Sequence, residues 1–548
     1  MTRFCKRGEC DFPQLAKLLL KLLKCSVTTL FLSALINVTA LLPLSQHAHS
    51  ETVEPLQQGC KFPTRQYETR QSQYLEDNRI GEMVPLYRWG SLTGANMIIE
   101  GLNKIGLKYN RLSFDLIEPW DRNLPIDLIT STYEITPAQM YLVEGLLEHK
   151  IDVCYILEFW TRKMIEDYER APDGYSRFRN EEEVNRYTDY VRFIVSSLRG
   201  RVKYYEILNE PDVTLFWNWV RLPDYINLIR KTVPVIREID PNAKIVVGSV
   251  SNLAFKEPQK YLFGIARSSV VSMVDLVSFH PFFGASPAID LYYDYYYGYA
   301  DLVRELRQVL QSNGFTGKLM ATEMVWRTSM NYKLDEPWVY SETVAAKYYA
   351  RGVITNLGLD VIAGVGGENV AQIPTLVEVG QNLCTAMAGH QPIDMRVKIA
   401  ASYDGPIAYC AFLYPDGNRM IAIWTDGVAK DEDPGVATTI TIPSLAAARV
   451  TGIDILHGVQ QDLEFEAKQE ALVIQNILVK DYPVLIWLNG VTTGPDYTET
   501  PGDGFHRLWN LSGAKPGPQT ESDRDGDGVP DEEDWCPDWP GSKKMNGC

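Results

Sequence analysis

Short apolar runs of strand length alternate with longer segments of helical periodicity through most of the chain. Residues 136–149, 223–240, 299–312 and 374–388 carry apolar side chains at intervals of three and four, as amphipathic helices do. This alternation predicts an α/β fold with a parallel sheet, here a (β/α)8 TIM barrel over residues 79–389. The strand-like runs are residues 106–114, 151–158, 202–209, 244–248, 274–280 and 319–323, with weaker first and last candidates at 83–89 and 359–365.

The hydrophobic pattern changes after the barrel to short alternating runs separated by Asp-Gly turns. These runs, for example 407–413, 420–424, 438–442, 450–456 and 484–488, predict an antiparallel β-sandwich over residues 390–491. The sandwich could be a structural cover for the barrel or a carbohydrate-binding module, and we expect the cover. Residues 492–522 are rich in Gly, Pro, Thr and Ser and predict a linker, followed by a small tail over 523–548.

Two glutamates, Glu210 and Glu323, each end one of the apolar runs. A carboxylate at the end of a buried strand costs free energy unless the site uses it. Because the carboxyl ends of all barrel strands meet at one mouth, we expect these two side chains to lie close together. Two carboxyl groups about 5–5.5 Å apart are what a retaining sugar hydrolase requires.

Three motifs together carry a resemblance to a known group of enzymes. Asn209-Glu210-Pro211, the His280-Pro281 segment and Thr322-Glu323 resemble those of the clan-A retaining glycoside hydrolases, close to family 39. The resemblance implies that Glu210 is the acid/base and that Glu323 is the nucleophile. No metal or organic cofactor is expected for that chemistry, and a polysaccharide or oligosaccharide is the expected substrate.

The same resemblance implies further roles at the barrel mouth. Asn209 would contact the sugar 2-hydroxyl, His280 would line the site, and Arg111 would keep Glu323 ionised through its charge. The chain departs from the family pattern where Met324 and Val325 precede the tryptophan, and where the last strand ends in glycines without one. The sugar site could then be wider, or have Trp326 or Trp160 as its floor.

Charge and the N-terminal sequence narrow the setting. The formal net charge of −17 argues against nucleic acid as a partner. Residues 1–50 contain lysines before the apolar run 26–44 and a small-x-small site at Ala48-His49-Ser50, which predicts a signal peptide or an uncleaved anchor. Either one places the protein outside the cytoplasm, as a secreted, periplasmic or surface protein of a bacterium.

The tail has the spacing of a calcium loop. Gly528 occupies the turn position, and carboxylates occupy the ligand positions, resembling one thrombospondin type 3 repeat. Cys536 and Cys548 are expected to form a disulfide, whereas Cys154 is expected to be a packed thiol. The tail or the N-terminal segment could attach the protein to the cell envelope. The expected Ca²⁺ ligands are Asp523, Asp525, Asp527, Asp531 and Asp534.

Two other functions fit the same pattern. One is a non-catalytic surface protein that binds polysaccharide on a glycosidase-like barrel, because a barrel fold does not by itself imply activity. The other is an inverting hydrolase, whose two carboxyl groups would stand about 6.5–9.5 Å apart.

Overall fold

The computed structural model describes residues 54–83, 92–114, 134–170, 175–213, 219–329, 338–366, 373–468 and 471–509. The chain divides into two units, Met1–Val53 and Glu54–Cys548, and every described residue belongs to the second. The targeting segment 1–50, the calcium loop and the expected Cys536–Cys548 bridge therefore lie outside the described residues. Cys60, Cys154, Cys384 and Cys410 are free thiols, and Cys154 is buried as expected.

Eight parallel strands form a closed barrel, as the alternation of strands and helices predicts. Pairing of Ala363 with Ile80 closes it. The first strand lies earlier than the expected run 83–89, of which residues 84–89 are outside the described part. The strands are β1 Ile80–Met83, β2 Tyr109–Leu112, β3 Asp152–Leu157, β4 Tyr204–Ile207, β5 Lys244–Val250, β6 Leu276–Phe279, β7 Lys318–Ala321 and β8 Val361–Val365.

Helices cover the outside of the barrel. Several begin at side-chain caps: the Thr136 hydroxyl and Gln139 form a capping box, and Asn180 and Ser341 also accept from the first turn. The helices are α1 Leu92–Ile105, α2 Pro137–Glu148, α3 Arg162–Arg170, α4 Glu181–Ser197, α5 Leu222–Ile239, α6 Lys256–Ala266, α7 Tyr293–Ser312, α8 Glu342–Gly358 and α9 Pro374–Ala386. Helix α7 starts before the expected residue 299 because the tyrosine-rich run is helical, with Tyr296 and Tyr299 buried.

Apolar side chains fill the inside of the barrel. A separate cluster contains Tyr109, Cys154, Tyr204, Val246, Leu276, Met320 and Ile362, which come from strands β2 to β8. The barrel is therefore a packed core rather than a pore. Buried polar side chains also lie on the strands, among them Asn110, Arg111 and Glu206.

The sandwich pairs a nine-stranded and a four-stranded antiparallel sheet around its own apolar core. The strands are β9 Gln391–Met395, β10 Lys398–Ala401, β11 Ile407–Leu413, β12 Arg419–Thr425, β13 Val436–Pro443, β14 Leu445–Ala446, β15 Arg449–Asp454, β16 Val459–Asp462, β17 Glu466–Lys468, β18 Ala471–Val479, β19 Val484–Asn489, β20 Thr492–Thr493, β21 Glu499–Pro501 and β22 Phe505–Leu508. The large sheet has the order Thr64–Gln66, β16, β15, β19, β12, β11, β9 and β21, with β22 also on β11; the small sheet has the order β10, β13, β18, β17.

The prediction of a linker is wrong for residues 492–508. Residues 492–508 carry the strands β20, β21 and β22, which pair with β14, β9 and β11 of the sandwich. Phe505 is buried, and Asp503 pairs with Arg304 of helix α7 at 2.6 Å. The sandwich thus extends past the expected boundary at residue 491, and residues 510–522 lie outside the described part.

Buried charges join the barrel to the sandwich. The Asp426 carboxylate, in the sandwich, lies 3.7 Å from the Arg351 guanidinium of helix α8 and accepts from Arg507 of β22 at 2.7 Å. Arg351 also donates to the Asp481 carbonyl at 2.6 Å. Within the described ranges, no helix is long and apolar enough to cross a membrane.

Candidate active site

The backbone at the end of β4 is held in an uncommon conformation. Leu208 and Glu210 have φ angles of 64° and 45°, and Ser249 at the end of β5 has 45°. Non-glycine residues adopt this left-handed region only when neighbours hold them there, most often at functional sites. The backbone N–H of Glu210 donates to the Ser249 carbonyl at 2.9 Å, and the backbone N–H of Asn209 donates to the Glu158 carboxylate at the end of β3.

The two predicted carboxylates converge on one histidine. His280 follows β6, and its Nδ1 lies 3.0 Å from the Glu210 carboxylate and 3.9 Å from the Glu323 carboxylate. The Glu210 side chain is 31% exposed and that of Glu323 is 15% exposed, so both reach the open end of the barrel. On the other side of the ring, Nε2 is 3.3 Å from the Ser249 hydroxyl.

Arg111, at the end of β2, lies beneath this group and is fully buried. Its Nε donates to Glu206 at 2.6 Å, and its Nη2 donates to the Asn209 amide oxygen at 2.7 Å and to the Ser249 hydroxyl at 2.8 Å. Its Nη1 lies 3.6 Å from the Glu323 carboxylate. The structure therefore brings Arg111, Asn209, Glu210, His280 and Glu323 into one cluster.

This cluster is supported by Glu206, Ser249 and Ser278, which the sequence pattern does not single out as site residues. Glu206 is fully buried on β4 and accepts from Arg111 and from the Ser278 hydroxyl, the latter at 2.7 Å. Glu206 could have been found from the sequence, since a charged residue inside an apolar strand indicates a buried carboxylate that requires a partner. Its partner lies on another strand, however, and the sequence pattern does not indicate which.

Neighbouring charges shift the pKa values of the central groups. Burial raises the pKa of Glu323, and the Glu210 carboxylate adds to this, while His280 and Arg111 act in the opposite direction. For His280, burial lowers the pKa, but the carboxylates of Glu323 and Glu210 outweigh it and raise the pKa above the usual value. The charges of His280 and of the two carboxylates therefore depend on one another.

Trp326 does not form the floor of a sugar site, and this expectation is wrong. Met324–Val325 pairs in parallel with Phe282–Phe283, and the next side chain turns into the protein. The Trp326 ring is 1% exposed, stacks on Tyr348 and donates to the Ala285 carbonyl at 2.8 Å. Its role is to pack helix α8 against the barrel.

Trp160 is the other predicted aromatic contact. It follows β3 and is half-buried, with the Arg177 guanidinium 4.9 Å from its ring. The indole nitrogen is buried and has no hydrogen-bond partner among the described residues. Trp160 therefore lies on the same side of the barrel as the carboxylates, and its contact with a sugar stays a prediction.

Among the residues that the structure describes, no group of three or more His, Cys, Asp and Glu side chains could hold a metal ion. The five predicted calcium ligands, from Asp523 to Asp534, lie outside those residues.

Comparisons with known proteins identify the fold. No protein-family profile matches the chain, and no curated protein matches it in sequence. A family 39 glycoside hydrolase from Bacteroides cellulosilyticus WH2 is similar in structure, with a TM-score of 0.51 and 14% identity over 77% of this chain and 82% of that one. This protein shares the fold of that glycoside hydrolase.

Two further solved structures are more distant. The catalytic domain of the family 30 xylanase C from Talaromyces cellulolyticus has a TM-score of 0.49 and 12% identity over 78% of this chain and 98% of that one. A family 39 β-xylosidase from Caulobacter crescentus has a TM-score of 0.42 and 14% identity over 78% and 98%.

Proposed function

We propose that this protein is a retaining glycoside hydrolase that cleaves a polysaccharide or oligosaccharide. The observation that carries the proposal is the convergence of Glu210 and Glu323 on His280 at the mouth of the barrel. The buried Arg111 guanidinium lies 3.6 Å from the Glu323 carboxylate, and the Glu210 side chain is more exposed than that of Glu323, so the two groups have different surroundings. Two carboxyl groups with different surroundings can take the separate roles that this chemistry needs.

The distances favour retention over inversion. The two carboxylate oxygens lie 3.0 and 3.9 Å from the same nitrogen, so they cannot be farther apart than the sum of these distances. That limit falls at the lower end of the range of about 6.5–9.5 Å for inverting enzymes. The separation of about 5–5.5 Å for retaining enzymes lies inside it.

The proposed reaction proceeds in two displacements. The Glu323 carboxylate attacks the anomeric carbon while the Glu210 carboxyl gives its proton to the departing glycosidic oxygen. Water then attacks the anomeric carbon of the glycosyl-enzyme, Glu210 takes a proton from that water, and the Glu323 carboxylate leaves. Every proton and electron pair is accounted for without a metal ion or organic cofactor.

Asn209 has the geometry to orient the sugar. Its amide oxygen accepts from both Arg111 and Ser249, at 2.7 and 3.2 Å. This assignment leaves the amide hydrogen atoms of Asn209 to donate to a sugar hydroxyl. We propose that this hydroxyl is the 2-hydroxyl, where hydrogen bonds strengthen in the transition state.

Labelling tests the function directly. Aryl glycosides of several sugars identify a substrate, and the 2-fluoro derivative of that sugar should then label Glu323, as located by peptide mapping. Glu323→Gln should lower turnover by several orders of magnitude, because the covalent step loses its anionic attacker. Glu210→Ala should spare substrates with good leaving groups and recover with azide, so each variant is the other's control. A label on another residue, or near-normal turnover of Glu323→Gln, would reject the proposal.

Export of the protein and calcium binding by its tail are two separate proposals. We propose export through residues 1–50, and calcium binding by Asp523, Asp525, Asp527, Asp531 and Asp534 with a Cys536–Cys548 bridge. Converging carboxylates repel one another without a cation, so calcium should order the tail. Calorimetry on the full chain should show calcium heat that Asp525→Ala and Asp527→Ala together abolish. Equal heat in the double variant would reject the site, and aryl-glycoside turnover should be unchanged by EDTA.

A further inference from the structure

A cavity of about 440 Å³ opens on the sandwich, and none of its lining residues belongs to a barrel strand. One wall is the segment that leads into the first sandwich strand, and the other is the hairpin of β17 and β18. Its volume is within the range of about 300–1,000 Å³ typical of small-molecule sites. The lining residues that matter for its chemistry are Gln58, Lys61, Phe62, Glu464, Phe465 and Asn476.

The first wall is fixed by hydrogen bonds. The buried side-chain amide of Gln57 donates to the carbonyls of Glu464 and Gln475, both at 2.8 Å. Its oxygen accepts from the backbone N–H of Glu464 at 2.8 Å. The backbone N–H of Gln58 donates to the backbone carbonyl of Asn476 at 2.9 Å, and the Gln461 side chain donates to the Phe62 carbonyl at 2.7 Å. The cavity is therefore preformed, which lowers the entropic cost of binding.

The second wall contains a β-bulge. Gln475 and Asn476 together face the single residue Thr439 of β13, because the register shifts between Thr438 and Ile440. Asn476 has a φ of 56°, and both bulged side chains are exposed instead of alternating in and out. A bulge re-aims side chains in this way and is frequent beside binding sites. The two bulged residues, Gln475 and Asn476, both line the cavity and each carries a side-chain amide.

The groups around the cavity match the surface of a sugar. Phe62 is 39% exposed, with the Lys61 ammonium 5.2 Å from its ring, and Phe465 is half-buried, so aromatic surface is available to C–H groups. The amides of Gln58, Gln475 and Asn476 both donate and accept, as sugar hydroxyls do. Glu464 is paired with Lys61 at 3.0 Å, so the charges of these two lining residues offset each other, as suits a neutral ligand.

We propose that this cavity is a second, non-catalytic site that binds a neutral oligosaccharide. The inference does not depend on the roles of Glu210 and Glu323, because its residues belong only to the sandwich and to the segment before it. Such a site would hold a polymer chain on the protein independently of the reaction.

Calorimetric titration of the full chain carrying Glu323→Gln separates binding from hydrolysis. Cellohexaose, xylohexaose and mannohexaose are the probes, and at least one should bind. In the same background, Phe62→Ala and Asn476→Ala should each weaken that affinity about tenfold, or remove one of two binding sites. No binding of any of the three hexaoses, or equal binding by the Phe62→Ala chain, would overturn the proposal.

Two control variants separate recognition from folding. Phe62→Tyr keeps the aromatic face and should keep the affinity, whereas Tyr74→Ala removes an aromatic ring that is 67% exposed outside the cavity and should change nothing. An equal loss with Tyr74→Ala would overturn the assignment to the cavity. With Glu323 intact, Phe62→Ala should leave kcat/KM for an aryl glycoside unchanged, so failure of the catalytic proposal would be seen separately.

Discussion

His280 lies between two carboxylates, and its charge and theirs depend on one another. A protonated ring lowers the pKa of Glu323, against the raising effects of burial and of Glu210. The proposed reaction needs Glu323 as an anion, so kcat/KM should fall as the pH decreases through the pKa of that carboxyl. Because that pKa is raised, the acidic limb should lie above the ordinary glutamate value of about 4.3.

The first prediction concerns His280→Asn. Loss of the positive ring removes a group that lowers the pKa of Glu323, so the acidic limb of kcat/KM should move to higher pH. The measurement is the pH profile for an aryl glycoside. His506→Asn, which changes a histidine of the sandwich, should leave the profile unchanged. A limb that stays in place or moves to lower pH in His280→Asn would contradict this account.

The second prediction concerns Glu206→Gln. The amide keeps the size of the side chain but leaves Arg111 without its fully buried counter-charge. Breaking a buried ion pair in this way costs about 3–5 kcal/mol, which urea denaturation should detect. Glu238→Gln removes one partner of the exposed Arg192–Glu238 pair and should cost less than about 1 kcal/mol. Similar costs for the two variants would show that Glu206 does not hold Arg111.

The sequence located most of the candidate site because its residues end strands. Glu210, His280 and Glu323 each follow a barrel strand, and a parallel barrel brings such positions to one mouth. Trp326 was misplaced because the direction of a side chain beyond the strand depends on the local pairing with Phe282–Phe283. That pairing joins residues far apart in sequence, so no local pattern predicts it.

Among the elements, helix α8 depends on the ring of Trp326. The ring stacks on Tyr348, and a Cβ added at Gly352 would lie 2.7 Å from it, so the helix and the indole are in close contact. We predict that Trp326→Ala lowers the free energy of unfolding by about 3–5 kcal/mol. The measurement is urea denaturation.

Trp326→Phe is the matched control, since it keeps an aromatic ring in the same space and should cost less. Because the ring does not reach the mouth, Trp326→Ala should leave KM for an aryl glycoside close to that of the unaltered protein. A large rise in KM with unchanged stability would show instead that the Trp326 ring contacts the sugar.

The long, regular elements were predictable and the short edge strands were not. Strand β11 has the expected bounds because its residues are uniformly apolar and bounded by turns. Strands β20, β21 and β22 have two to four residues each, with threonine, proline and glycine around them. Their partners lie in distant strands, and a composition typical of a linker hides them.

At the scale of the whole molecule, the end of the sandwich also holds the barrel. Arg507 of β22 donates to the Tyr297 carbonyl of helix α7 at 2.6 Å, and Asp503 accepts from Arg304 of the same helix. We predict that a chain ending after residue 509 keeps its thermal midpoint and its turnover of an aryl glycoside. A chain ending after residue 491 should unfold at a lower temperature or aggregate.

Thermal unfolding followed by circular dichroism compares the two truncated chains. The shorter one leaves Asp426 buried with one of its two arginine partners missing, which is costly. Arg507→Gln in the full chain should reproduce part of that loss. Equal midpoints for the two truncations would show that residues 492–508 are dispensable.

The position of Thr64–Gln66 at the edge of the large sheet also constrains how the protein is made. This strand pairs with Val459–Asp462, which the ribosome adds only after the whole barrel has been synthesised. At about 5–20 residues per second, the delay is about 20–80 s. The nascent barrel can fold as a unit during that time, but Thr64–Gln66 has no strand to pair with. Completion of the large sandwich sheet is therefore a late step in the folding of each molecule.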